Sequence, residues 1–137
     1  MRKLRVIPLL LLHEEGFYKT INYSNPSYIG DPINTIRLFN DLEADEIVII
    51  DIDATKKCDK VNTDFIKSIV SEAFMPVTYG GGIKNLQNAK DILSCGVEKI
   101  LVNNIFLNNP KIIFQMSNQL GRQSIVISLD VIYNQNN

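Results

Sequence analysis

Apolar, β-branched runs punctuate the chain at Leu4–Leu12 (LRVIPLLLL), Glu46–Ile52 (EIVIIDI), Lys99–Val102 (KILV) and Ser124–Leu129 (SIVISL). A shorter run, Met75–Tyr79 (MPVTY), lies between the second and third. Continuous apolar runs without alternation predict strands buried on both faces, as in parallel sheets. Pro8 weakens the first run as a central strand unless it sits at a bulge or bend. Between the runs the period becomes helical. Ile33, Ile36, Leu38, Phe39 and Leu42 form one stripe, with Asp31 as N-cap and Pro32 in the first turn. Phe65, Ile66, Ile69, Val70 and Phe74 form a second, capped by Asn62 or Thr63. Leu86, Ala89, Ile92 and Leu93 form a third, stopped by Gly96, and Ile112, Ile113, Met116 and Leu120 a fourth, between Pro110 and Gly121.

Strand–helix alternation of this kind predicts a parallel α/β fold. Glu14–Ile29 is long for a strand-to-helix loop. Within it, Phe17–Tyr23 has room for an extra strand or hairpin, at the end of the sheet where such folds place their chemistry. Periodicity leaves two architectures open. One is a five-stranded open sheet; the other is part of a (β/α)₈ barrel, which needs roughly 250 residues when complete.

Composition narrows the function. The 137 residues suit one domain, and 45% apolar content excludes a disordered chain. A formal charge of −1 lacks the positive field that nucleic-acid binding requires. The longest apolar stretch, Val6–Leu12, is far short of the roughly 20 residues that span a membrane. The MRKLRVIPLL start imitates a leader peptide, yet no small-residue cleavage site follows and Glu14-Glu15 comes at once, so no leader is expected. Cys58 and Cys95 have no metal-ligand spacing and fit a reducing cytoplasm better than a disulfide scaffold. Neither a metal nor a cofactor is expected.

Local chemistry concentrates in two places. Tyr79-Gly80-Gly81-Gly82-Ile83 follows a strand and precedes a helix. Successive glycines there make either a tight turn or a phosphate cradle of backbone N–H groups beside a helix N-terminus. Asn103-Asn104 ends the strand KILV and supplies either loop caps or further phosphate donors.

These segments resemble the HisF-type cyclase subunit of imidazole glycerol phosphate synthase. The likeness is carried by RVIPLLL, YIGDPINTIRLFNDLEADEIVIIDIDAT, MPVTYGGGIKNLQNAKDILSCGVEKILVNN and GRQSIVISLDV, in order and nearly constant register. It implies the N-terminal half of a (β/α)₈ TIM barrel: residues 1–137 as one half-barrel unit with strands one to five, helices one to four and a parallel sheet. It implies that ammonia from a HisH-like glutaminase passes through the barrel to a phosphorylated ribonucleotide. The products would be imidazole glycerol phosphate and aminoimidazole carboxamide ribotide, in histidine biosynthesis. Gly81, Gly82, Asn103 and Asn104 match one phosphate cradle. Arg5, Glu46 and Lys99 match an ammonia gate of opposed charges, each at the start of an expected strand, and Thr78 matches a channel position. Glu98 matches an acid facing the glutaminase. Asp130 matches one catalytic aspartate and Lys19 a loop lysine that closes over substrate.

One position departs from the pattern. The family carries its other catalytic aspartate at the end of strand one, and Leu11 stands there. Proton transfer in both directions needs two titratable groups. His13, the chain's only histidine, lies on Leu11's side of the strand, roughly 6–7 Å further on. It either substitutes for the acid or stands as a half-exposed loop residue. A variant subgroup of the family also reads RVIPxLLL and is associated with amidotransferase steps in surface-polysaccharide sugar synthesis, where the barrel relays ammonia to another enzyme. Three expectations follow: a cyclase, a catalytically weak ammonia conduit, or an inactive truncated half-barrel whose exposed sheet edges pair two copies into a homodimer.

Overall fold

A computed structural model describes residues 4–21, 24–54 and 61–132. Cys58, Tyr23 and residues 133–137 lie outside the described residues.

The sheet holds seven strands in the order β3-β2-β1-β4-β5-β6-β7. These are β1 (Leu9–His13), β2 (Gly16–Ile21), β3 (Ser24–Gly30), β4 (Ile47–Asp51), β5 (Val77–Gly80), β6 (Lys99–Val102) and β7 (Ile125–Ile127). The series β1-β4-β5-β6-β7 is parallel throughout, as the uninterrupted apolar runs predict. The helices are α1 (Pro32–Asp41), α2 (Thr63–Glu72), α3 (Leu86–Ser94), α4 (Asn104–Asn108) and α5 (Pro110–Leu120). The sheet does not close on itself among the described residues.

Side-chain caps start α1 and α2 at the expected positions and α3 at Asn85, which was not singled out, whereas α4 and α5 have none. Asp31 accepts from the Asn34 N–H at 3.0 Å, and Asn85 accepts from Asn88 at 2.9 Å. Asn62, not Thr63, caps α2 by accepting from Phe65. Gly96 and Gly121 follow helix ends with φ of 93° and 90°, the left-handed region that a β-carbon disfavours.

Alternation along each strand separates two faces. Leu10 and Leu12 of β1, Ile47 and Ile49 of β4, Val77 and Tyr79 of β5, and Ile100 and Val102 of β6 are buried. They pack in one core with Ile36 of α1, Ile66 and Ile69 of α2, Ala89 and Ile92 of α3, and Met116 of α5. The other face is only partly covered: Leu9 is 55% exposed. The runs are therefore buried on one face and open into a cleft on the other, not buried equally on both.

Three differences from the sequence-based expectation have physical causes. Leu4–Pro8 is not strand; Pro8 has no N–H to give, and its carbonyl instead receives the Val48 N–H at 2.9 Å. The long loop after β1 does hold the expected extra hairpin, β2–β3, and Glu14 and Glu15 take positive φ in the tight turn between β1 and β2. Its strand β2 pairs with Leu11–His13, so the carboxyl half of β1 is not the open sheet edge expected; β3 and β7 are. A fifth helix, α4, is too short to show a period.

Ile100 is fully buried at the centre of the core, whereas Phe74 is 90% exposed. Ile100→Ala is expected to cost about 2–5 kcal/mol in urea unfolding, and Phe74→Ala less than about 0.5 kcal/mol. Equal midpoints for the two variants contradict this assignment of the core.

Candidate functional site

Parallel strands put all their amino ends on one rim and all their carboxyl ends on the other. At the amino rim, Glu46 immediately precedes β4 and is 4% exposed. Three side chains converge on its carboxylate. Lys99 Nζ, at the start of β6, donates to both oxygens at 2.8 Å. Arg5 donates to Oε2 at 2.8 Å, and the buried Thr78 hydroxyl donates to Oε1 at 2.7 Å. Burial pushes the Glu46 carboxyl up, but the hydrogen bonds from Lys99 and Thr78, the Lys99 charge and the Arg5 hydrogen bond outweigh it. The net shift is below the usual carboxylate range. Arg5, Glu46, Lys99 and Thr78, expected together from the resemblance, thus form one cluster. Glu98, next to it in sequence, is exposed on the same rim.

At the carboxyl rim lies a cleft of about 800 Å³. Gly81, Gly82, Asn103, Asn104 and Asp130 all line it. Gly81 (φ 120°) and Gly82 (φ 67°) adopt backbone open to glycine. A β-carbon at Gly81 would overlap the Asp51 carbonyl oxygen, and one at Gly82 would lie 2.9 Å from the Ala54 methyl. The loop after β5 is therefore pressed against the loop after β4. Asn103 Nδ2 donates to Asp130 Oδ2 at 2.8 Å, across the ends of β6 and β7. A carboxylate only accepts, so the amide is oriented with nitrogen toward Asp130. That leaves Asn103 Oδ1 buried without a partner among the described residues, at a cost of about 1–3 kcal/mol.

Leu9 and Leu11 also line the cleft, so the strand-one position carries an apolar wall. Lys19 does not line it: the residue is exposed on β2, paired with Ser27 of β3, and its neighbour Thr20 faces the cleft instead. Sequence reasoning also missed Asp51. Its Oδ1 accepts the Asp53 and Ala54 N–H groups, and its Oδ2 accepts the Tyr79 hydroxyl at 3.1 Å. Burial, reinforced by the Asp51 charge, pushes the Tyr79 hydroxyl far up, so it stays a neutral donor. The signal was available in the sequence: Asp51 closes the apolar run EIVIID as Asp130 closes SIVISLD. Among the described residues no group of three or more His, Cys, Asp or Glu is placed to hold a metal ion. None of their helices is long and apolar enough to cross a membrane.

The amino-rim cluster sets a pH dependence. A carboxyl whose pKa is lowered by folding contributes stability that is complete above the usual carboxylate range and is lost as pH falls through the depressed value. Glu46→Gln is expected to cost about 3–5 kcal/mol at neutral pH, because it strands two cations beside one another. The gap from the parent chain should shrink on acidification. Arg5→Ala, at a half-exposed partner, should cost less than about 1 kcal/mol. Urea titrations from pH 7 down to the acid transition check both; a gap that widens in acid refutes the assignment.

A family model described as "Histidine biosynthesis protein" matches residues 5–136. A Leptospira borgpetersenii protein with the provisional name imidazole glycerol phosphate synthase subunit HisF is 48% identical over 130 residues, 95% of this chain and 51% of its own length. A Vibrio vulnificus protein, also named provisionally as such a subunit, is 46% identical over 131 residues, covering 96% of this chain and 50% of its own. The imidazole glycerol phosphate synthase subunit HisF of Bacillus cereus is 37% identical over 126 residues, 92% and 50% of the two chains. The chain spans about half the length of these curated relatives. The family fold is the TIM barrel, and the five parallel strands are part of one. With the match running from Arg5 of the charged rim past Asp130 of the cleft, the chain belongs to the histidine biosynthesis protein family.

Proposed function

We propose that residues 1–137 form a half-barrel unit of a HisF-type cyclase subunit. It uses ammonia delivered by a HisH-like glutaminase to close the imidazole ring, yielding imidazole glycerol phosphate and aminoimidazole carboxamide ribotide in histidine biosynthesis. The observation that carries this reading is the division of chemistry between the two rims. The Arg5–Glu46–Lys99–Thr78 cluster occupies one end of the strands, and Gly81, Gly82, Asn103, Asn104 and Asp130 line one cleft at the other. Strands of four or five residues separate them by about 13–17 Å.

In this reading the backbone N–H groups of Gly81 and Gly82, near the N-terminus of α3, and the Asn104 amide hold one phosphate of the ribonucleotide. Asp130, held by Asn103, exchanges protons with the ligand. Lys19 reaches the ligand when the hairpin closes. The charged rim admits a small neutral molecule and opposes ions, and Glu98 faces the glutaminase. The cytoplasm is the expected setting.

A second reading is favoured by Leu11: an ammonia conduit in a glutamine-dependent amidotransferase of surface-polysaccharide sugar synthesis. An apolar residue where the family places an acid leaves the cleft wall weak in proton transfer but leaves the charged rim whole. Among the described residues β7 pairs only with β6, and its other edge supports edge-to-edge pairing of two copies, which light scattering measures as a doubled mass.

Purified chain, ammonium salt and the ribonucleotide substrate test the first reading. Turnover is expected, with Asp130→Asn lowering it about 10²-fold or more. Glutaminase binding that is lost in Glu98→Lys, without turnover, favours the conduit. Neither turnover nor glutaminase binding defeats both.

A further inference from the structure

Two acids line the cleft: Asp130 is exposed, whereas the Asp51 oxygens accept from the Asp53 and Ala54 N–H groups and the Tyr79 hydroxyl, and the end of β1 contributes the apolar Leu11. Just beyond Leu11 the structure holds an unassigned pair. His13 ends β1, and its Nδ1 lies 2.8 and 2.9 Å from the two oxygens of Asp53, which follows β4. The Glu14 N–H also donates to Asp53 at 2.9 Å, tying the tight turn after β1 to the same carboxylate. Tyr18 of β2 meets the imidazole edge-on at a centroid distance of 5.0 Å, and Tyr28 of β3 meets Tyr18 at 5.4 Å. The ring is thus held by a carboxylate and an aromatic face, while its side chain keeps 23% exposure.

Strand geometry says which way this pair faces. Leu9, Leu11 and His13 alternate onto one face of β1, and the first two line the cleft. Tyr18 is level with Leu11 in the β1–β2 register, and Thr20, two residues on, lines the cleft as well. His13 does not itself line the cleft; it is the next residue on that face of β1 after Leu11, at the carboxyl rim. An ionised Asp53 only accepts, so Nδ1 carries the proton and, in the neutral ring, Nε2 carries a lone pair. No hydrogen bond engages Nε2 among the described residues.

We propose that His13 is a second proton carrier for a ligand in the cleft, alongside Asp130, with Asp53 as its positioning residue. The inference rests on the ligand site proposed above and adds a group to it. Nε2 takes a proton from the ligand, giving an imidazolium whose charge faces Asp53. The Nδ1 proton stays in place, and the Nε2 proton then goes to the leaving oxygen or to water, restoring the neutral ring. Asp53 orients the ring and selects its tautomer, and is not itself protonated.

One histidine in the chain makes the test direct. Long-range proton–nitrogen NMR of the full-length chain, ¹⁵N-labelled and free of any histidine tag, reads both ring nitrogens. The expected tautomer is protonated at Nδ1 and bare at Nε2, reverting toward Nε2–H in Asp53→Ala. Adding D-ribose 5-phosphate should move the Nε2 resonance together with the Gly81 and Gly82 amides and leave Nδ1 in place. A parent ring protonated at Nε2 overturns the proposal with no variant needed. Shifts at both glycines with a silent Nε2 overturn it and leave the phosphate site standing. Silence at the glycines and the imidazole alike overturns both.

Discussion

Glu46 is a charge that this fold buries, and the amino rim is organised by what that burial requires. A carboxylate at 4% exposure is tolerated only when its oxygens are filled by donors, preferably cationic ones. Its donors come from Arg5 before β1, Thr78 of β5 and Lys99 of β6. The strands flanking β4 on either side, and the next one beyond β5, must therefore begin at one level. A slip of one residue in any of them would turn its donor to the helix-covered face. Glu46 thus contributes to register as well as to local satisfaction. The observed pairing of Val48 with Thr78, and of Thr78 with Lys99, is the arrangement that keeps the donors within reach.

Register at one rim has a consequence at the other. The strands are short, so levelling their starts also levels their ends. Gly81, Asn103 and Asp130 follow three adjacent strands and arrive at a common cleft. There the contacts change character. The Gly81 backbone sits against the Asp51 carbonyl, and Asn103 bridges to Asp130 at the expense of an unfilled carbonyl oxygen. Both are close approaches between neighbouring strand ends, and both depend on strand lengths that match within a residue. The charged cluster and the polar cleft are two ends of a single geometric constraint.

Much of this was legible in the sequence, and what was not has identifiable reasons. Helices α1 and α2 announce themselves through Asp31, Pro32 and Asn62, because capping is local chemistry. The parallel strands show as uninterrupted apolar runs. By contrast, the partners of Glu46 lie 41 and 53 residues away, a separation no periodicity reports; the family resemblance alone brought them together. The hairpin was half visible. Phe17 falls in the stretch expected to hold an extra strand or hairpin, but its full burial does not show in the sequence, because it is the pairing of β2 with β1 that turns the ring into the helix-covered core. Strand β3 (SNPSYIG) is nearly all exposed and contains Pro26, so it bears no burial pattern to read. It is held by its ladder to β2 and by the Tyr18–Tyr28 contact, both long-range relative to any local signal. The His13–Asp53 pair, 40 residues apart, escaped for the same reason as the Glu46 cluster.

The inner face of the sheet joins these ends. Inward from Thr78 on β5 comes Gly80; level with them on β4 are Val48 and Ile50; beyond Lys99 on β6 comes Leu101, and β1 adds Leu9 and Leu11. Charge is confined to the two rims, and the stretch between offers an ion no compensating partner. Leu11 extends that apolar stretch one step closer to the cleft than an acid at the same place would. A leucine there, unlike a carboxylate, offers the cleft no titratable group on that stretch of β1. The same substitution leaves the helix-covered face untouched, because Leu11 points away from it while Leu10 and Leu12 do the packing. The fold can therefore keep its register, its charged rim and its core while the chemistry of the cleft changes by a single side chain.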